Sequence, residues 1–123
     1  MPFINDKVFD SGLSVLDTDV ENLYINNLEP ATFTAASSTN KLGTKATPTV
    51  GAPTDGSVNG RSVNISAISD GTVDTTGTAS HWSVTDDSLS LLLATTSLSS
   101  SQSVTSGNTF TLDAIEINIP DAA

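Results

Sequence analysis

His81 is the only histidine in the chain, so imidazole chemistry near neutral pH has one place to happen. A Ser-His-Asp relay needs a hydroxyl, this ring and an orienting carboxylate within hydrogen-bond reach. The segment Ala79-Ser80-His81-Trp82-Ser83 supplies hydroxyls, and Asp86 and Asp87 follow closely. Successive residues of a strand point to opposite faces, however, so adjacency in sequence is not relay geometry. His81 is expected on the face opposite Trp82 as a surface or interface residue, and no catalytic residue is expected.

Two further patterns have the residue types for chemistry but not the spacing. Asp17-Thr18-Asp19-Val20-Glu21 starts like an oxygen-rich calcium loop, in which alternate carboxylates converge on the ion. Asn22 then stands where such a loop requires glycine, and Leu28 where it requires a bidentate glutamate. A solvated turn is the reading here, with no metal ligand. Asp70, Asp74, Asp86 and Asp87 would form an acidic rim if neighbouring turns met. A glycosidase would need two such carboxylates in an aromatic-lined groove, and aromatic residues are 5% of the chain with one tryptophan and one tyrosine.

Trp82 is expected to be a core anchor. Asn59-Gly60-Arg61 reads as a tight turn. Asn64-Ile65-Ser66 matches a glycosylation acceptor, which has meaning only in a secreted chain. No phosphate-cradling glycine loop or dinucleotide fingerprint is present, and no cofactor is expected. With no cysteine there is no disulfide, thiolate nucleophile or cysteine-based zinc site.

Any such residues must be positioned by one modest core, since 123 residues suit a single domain. Ser and Thr supply roughly three residues in ten, and charged residues only 15%. Fourteen acidic residues against four Lys and Arg give a net charge of -10. That field repels a phosphate backbone or an anionic bilayer, so neither direct nucleic-acid nor membrane binding is expected. The start of the sequence lacks the basic and apolar regions of a secretory signal, and the longest apolar run is Leu91-Leu92-Leu93-Ala94. An aqueous location is expected.

Residues 1–20 read as an N-terminal arm or short helix, with Asp17-Thr18-Asp19 as a turn, and residues 21–123 as a β domain. Leu23 and Ile25 share one face of a strand ended by Pro30, and a helical turn and an irregular loop are equally plausible over 32–38. Six glycines and prolines between 42 and 60 predict a long exposed loop. Arg61 to Ala67 and Gly77 to Thr85 alternate as strands, with Asp70-Gly71 read as the turn between them. Asp86-Asp87 closes the second, and Leu89, Leu91 and Leu93 mark a returning strand.

In the last element Phe110 and Leu112 fall on even positions but Ile115, Ile117 and Ile119 on odd ones. The inward phase flips at Asp113-Ala114, as it would at a bulge that bends the strand to serve both sheets or turn a corner, or if both faces of the strand are buried. These elements predict an all-β fold: a single antiparallel β-sandwich or small barrel with an extended N-terminal arm and one long loop.

The strings Gly60-Arg61-Ser62-Val63-Asn64-Ile65, Asp70-Gly71 and Gly77-Thr78-Ala79-Ser80-His81-Trp82 resemble small virion proteins of tailed bacteriophages. The closing Ser106-Gly107-Asn108-Thr109-Phe110-Thr111-Leu112, with Ile115 to Pro120, is similar too. The resemblance covers about residues 8–121 by element order and rests on turn and strand signatures. It implies a virion structural protein such as a capsid decoration or cement protein, assembled in the host cytoplasm and placed on the capsid surface. The partners it implies are the major capsid protein or other virion proteins, and a homo-oligomer is compatible with it. A head-to-tail or tail adaptor is the alternative, as is a small module holding calcium or a glycan. Within that reading the arm and the Gly/Pro-rich loop are the assembly contacts, through Phe3, Ile4, Val8, Phe9, Thr47, Val50 and Val58.

Overall fold

The computed structural model describes residues 3–4, 12–55 and 61–119, with the backbone alone at Phe3, Ile4 and Asp55. Its strands are β1 (Phe3–Ile4), β2 (Asn22–Asn26), β3 (Lys41–Ala46), β4 (Thr54–Asp55) and β5 (Arg61–Ile65). They continue with β6 (Ile68–Val73), β7 (Gly77–Asp86), β8 (Leu91–Val104), β9 (Thr109–Leu112) and β10 (Ile115–Ile119). Among the described residues, helical structure comprises α1 (Ser14–Asp19), a π-helical turn (Ala35–Thr39) and a 3-10 turn (Asp87–Leu89). The fold is all-β.

The strands form a seven-stranded sheet in the order β1-β8-β7-β2-β3-β6-β9 and a three-stranded sheet in the order β10-β5-β4, antiparallel throughout. One hydrophobic core joins them. Leu23 and Ile25 of β2 lie opposite Val84 and Trp82 of β7 on one face, and Val63, Ile65 and Ile117 face them from the smaller sheet. Burial of Leu23, Ile25 and Leu93, each at most 1% exposed, contributes about 1.5–3 kcal/mol apiece. The six-residue α1 is too short to persist alone. It is held by Val15 and Leu16, both sunk in this core, and enters its first turn from Gly12 at φ +73°.

The larger sheet curls. β8 and β9 stand five strand spacings apart in its order, about 24 Å in a flat sheet at about 4.8 Å per strand. Yet Gln102 of β8 donates from Nε2 to the Thr111 carbonyl of β9 at 3.0 Å. The turn joining these strands is fastened to the end of β6, with Gly107 at φ +90° donating its N–H to the Val73 carbonyl at 2.9 Å. The sheet therefore rolls into a half-barrel whose two margins approach each other.

The phase flip marks the passage between sheets. Phe110 and Leu112 belong to β9 in the larger sheet, Ile115 and Ile117 to β10 in the smaller one, and Asp113-Ala114 is the step between them. What was expected as one bent strand is two strands, each with its own partner.

Four expectations are corrected. Residues 42–60 are not one long loop, because Lys41–Ala46 is an interior strand of the large sheet and Val50 bridges to Ile65. Asp70-Gly71 is not a turn but lies within β6, where Gly71 sits opposite Phe110. Both misreadings come from glycines whose role is contact with a ring: a Cβ at Gly43 would lie 2.6 Å from the Thr72 carbonyl and 3.1 Å from the Phe110 ring, and one at Gly71 would meet that ring within 3.0 Å. Asp17-Thr18-Asp19 is the last turn of α1, with the Thr18 hydroxyl on the Ser14 carbonyl at 2.9 Å. Leu89 belongs to the exposed 3-10 turn, and the returning strand starts at Leu91.

The middle of the large sheet is buried on its second face too, which strand alternation does not predict. Asn26, fully buried, donates Nδ2 to the Ala36 carbonyl at 2.9 Å and accepts the Ser83 hydroxyl on Oδ1 at 2.8 Å. The first bond pins the π-helical turn over β2, beside β3, and the second ties β7 to β2. Thr95 closes the same layer by donating to the Trp82 carbonyl at 2.6 Å.

Candidate functional site

His81 lies on β7, half-buried, while Trp82 beside it is buried on the core side. The Ser80 Oγ is 2.8 Å from His81 Nδ1 and 3.0 Å from the Asn27 carbonyl oxygen. Adjacent strand residues meet here because the ladder is irregular: Ala79 pairs with Gln102 but His81 with Ser97, so Leu98 to Ser101 bulge opposite Ser80. The hydroxyl has a single proton. Given to the Asn27 carbonyl, it fastens β7 to the end of β2 and leaves Oγ to accept from an Nδ1–H. The pair acts as a clasp between strands.

The acidic residues divide into two groups. Asp70 pairs with Lys45 at 3.1 Å and Asp74 with Lys41 at 3.0 Å, tying β6 and its end to β3. Asp86 and Asp87 do not join them; they meet Glu21 and Tyr24 at the β7–β8 turn. Glu21 accepts the Ser88 N–H on Oε1 at 2.6 Å and the Ser88 hydroxyl on Oε2 at 3.0 Å. Asp86 caps the 3-10 turn through the Leu89 N–H at 3.3 Å. Tyr24 donates its phenol to Asp87 at 2.8 Å.

The Ser88 N–H, with the Ser88 hydroxyl and Asp86 behind it, holds the Glu21 carboxyl below the usual glutamate range. Burial, reinforced by the neighbouring Asp87 carboxylate, pushes the Tyr24 phenol up to about 12. These carboxylates are occupied with main-chain and hydroxyl donors of one turn. Among the described residues no group of three or more His, Asp or Glu side chains is placed to hold a metal ion.

The residues expected to make assembly contacts are scattered. Phe3 and Ile4 add to the β8 edge opposite Thr95 and Ala94. Thr47 is exposed at φ +46°, directly after β3. Val50 is half-buried against the core. Val8, Phe9 and Val58, like Asn59-Gly60, lie outside the described residues. Arg61, which ends the Asn-Gly-Arg string, donates Nη2 to the Pro53 carbonyl at 3.1 Å.

A cleft of about 410 Å³ opens where the rolled sheet fails to close, between the bulged middle of β8 and the β9–β10 step. An edge of Trp82 with Leu98, Leu112 and Ile115 forms its apolar part, and Ser97, Ser99, Ser100, Gln102, Thr111 and Asp113 its polar part. Sequence reading passed over this site because the run from Ser97 to Ser103 has no clear alternation. The phase flip at Asp113-Ala114 was its one legible signal, since a strand changing sheets leaves a gap beside it.

No protein-family model, no curated protein and no solved structure matches this chain. No helix among the described residues is long and apolar enough to cross a membrane.

Proposed function

We propose that the chain is a non-catalytic structural protein of a tailed-phage particle, most simply a capsid decoration or cement protein bound to the major capsid lattice. The resemblance of its turn and strand signatures to small virion proteins supports this reading. The observation that carries it is how the chemically competent side chains are used. Glu21, Tyr24, Asp86 and Asp87 fasten one turn, Lys41 and Lys45 fasten β6 to β3, and Ser80 joins β7 to β2. Groups so committed rigidify a scaffold instead of meeting a substrate.

A scaffold of this kind presents its periphery to neighbours. The N-terminal strand lies on the outer edge of the large sheet, and residues 47–53, with Thr47 exposed, run beside the smaller sheet. Such segments form contacts without disturbing the core.

Co-sedimentation with expanded empty heads of the phage that encodes the chain tests the proposal. The full-length protein is expected to bind, and protein lacking residues 1–9 to bind more weakly while keeping the circular dichroism of a β domain. Equal binding by the truncated protein would remove the arm from the contact, and binding to tails alone would replace the decoration role with an adaptor role.

A further inference from the structure

We propose that the cleft between β8 and the β9–β10 step is a binding site for a short neutral saccharide. The inference is independent of the virion reading, since it rests on the lining of one cavity. A sugar ring presents an apolar C–H face and a rim of hydroxyls that both donate and accept. The cleft offers the complement: an edge of Trp82 with Leu98, Leu112 and Ile115 as an apolar wall, and hydroxyl, carboxamide and carboxylate residues around it. Its volume of about 410 Å³ lies in the range of about 300–1,000 Å³ typical of small-ligand sites.

Two polar groups have defined roles. The Gln102 amide is oriented by its Nε2 bond to the Thr111 carbonyl, so its Oε1 remains an acceptor held in fixed position. Asp113, exposed at the step between sheets, supplies a carboxylate that accepts charge-assisted hydrogen bonds from sugar hydroxyls. Ser97, Ser99 and Ser100 complete the rim at little entropic cost, since serine has few rotamers to lose.

The same lining disfavours other ligand classes. Among the described residues no Lys or Arg lines the cleft, and Asp113 in a chain of net charge -10 repels phosphate, sulfate and acidic sugars. Asp113 is the one carboxylate among the described lining residues, too few to hold a calcium ion, which takes six to eight oxygens. A wholly apolar ligand would strand the hydroxyls and the carboxylate without partners.

Trp82 is the only tryptophan, so its emission reports on the cleft directly. The full chain is titrated with a panel of neutral hexoses, N-acetylhexosamines and their disaccharides up to tens of millimolar, with calorimetry on any that respond. The expected result is a saturable emission change with at least one sugar and none with inorganic phosphate or calcium. Asp113→Asn is expected to weaken binding at least tenfold with an unchanged melting temperature, and Ser100→Ala to weaken it less. A panel without any saturable response overturns the proposal. So does a response that survives intact in both variants, or saturable binding confined to an extended Ser/Thr-rich peptide, which would make the cleft a strand-docking seam.

Discussion

The packing of Phe110 over two glycines sets a quantitative test of the large sheet. Its ring crosses from β9 onto Gly71 of β6 and Gly43 of β3, and a methyl group at position 71 would fall within 3.0 Å of three ring atoms. Gly71→Ala therefore forces the ring or a strand to move, and overpacking of this kind costs about 1–3 kcal/mol. Phe110→Ala removes a ring that is 2% exposed, at about 3–5 kcal/mol. If the two sites were independent, the double variant would lose about 4–8 kcal/mol, much of the roughly 5–15 kcal/mol that holds a domain folded. With the ring gone, however, the new methyl enters empty space and recovers up to about 0.8 kcal/mol. The double variant is thus expected to be no less stable than Phe110→Ala alone, a coupling of about 1–4 kcal/mol. Urea unfolding followed by Trp82 emission measures all four corners of the cycle, and Phe110→Leu replaces Phe110→Ala if the latter does not fold. Additivity within about 0.5 kcal/mol would refute the claim that these glycines exist to receive the ring.

Other consequences concern the polar ties. Because the Tyr24 pKa is raised from 10.0 to about 12, its contribution to stability is full below pH 10 and is lost as pH rises through that interval. Urea midpoints between about pH 9 and pH 12 should therefore fall less steeply in Tyr24→Phe than in the parent. Glu21 is depressed below 4.5, so its contribution is present above that value and lost as pH falls through the folded value. Glu21→Gln should flatten the acid limb of the stability profile. Asn26→Ala leaves the Ala36 carbonyl and the Ser83 hydroxyl without their partner, and thermal or urea unfolding should show a loss of about 2–4 kcal/mol. Ser83→Ala should cost less, since Asn26 keeps its bond to Ala36.

Alternation made β2, β5 and β7 legible because each turns one face to a common core, and it placed Trp82 and Val84 inward and His81 opposite. The reversal of phase between Leu112 and Ile115 revealed a chain serving two sheets, since side-chain parity records which face is buried. Gly43 and Gly71 misled because a glycine that admits an aromatic ring looks in sequence like one that makes a turn. The burial of Asn26 was hidden for a similar reason: its amide meets the Ala36 carbonyl of the π-helical turn, a contact between distant segments. The cleft escaped notice because it arises from the bulge of Leu98 to Ser101 and the incomplete closure of the half-barrel, both properties of register. Among candidate site residues, the expected separation of His81 from Trp82 was readable, whereas Gln102 and Asp113 became visible only once β8 and β9 were brought together.

The central claim is that this β scaffold is a component of an assembled particle. On the proposed virion reading, its most direct test is to purify by density gradient the particles made from a phage genome that carries the coding sequence, probe them for the protein, and locate it by cryo-electron microscopy. Density for the two-sheet domain is expected on the outer face of the capsid, with residues 3–4 or 47–53 against the major capsid protein. Particles of full infectivity that lack the protein, with the chain recovered only as free monomer in the lysate, would contradict it.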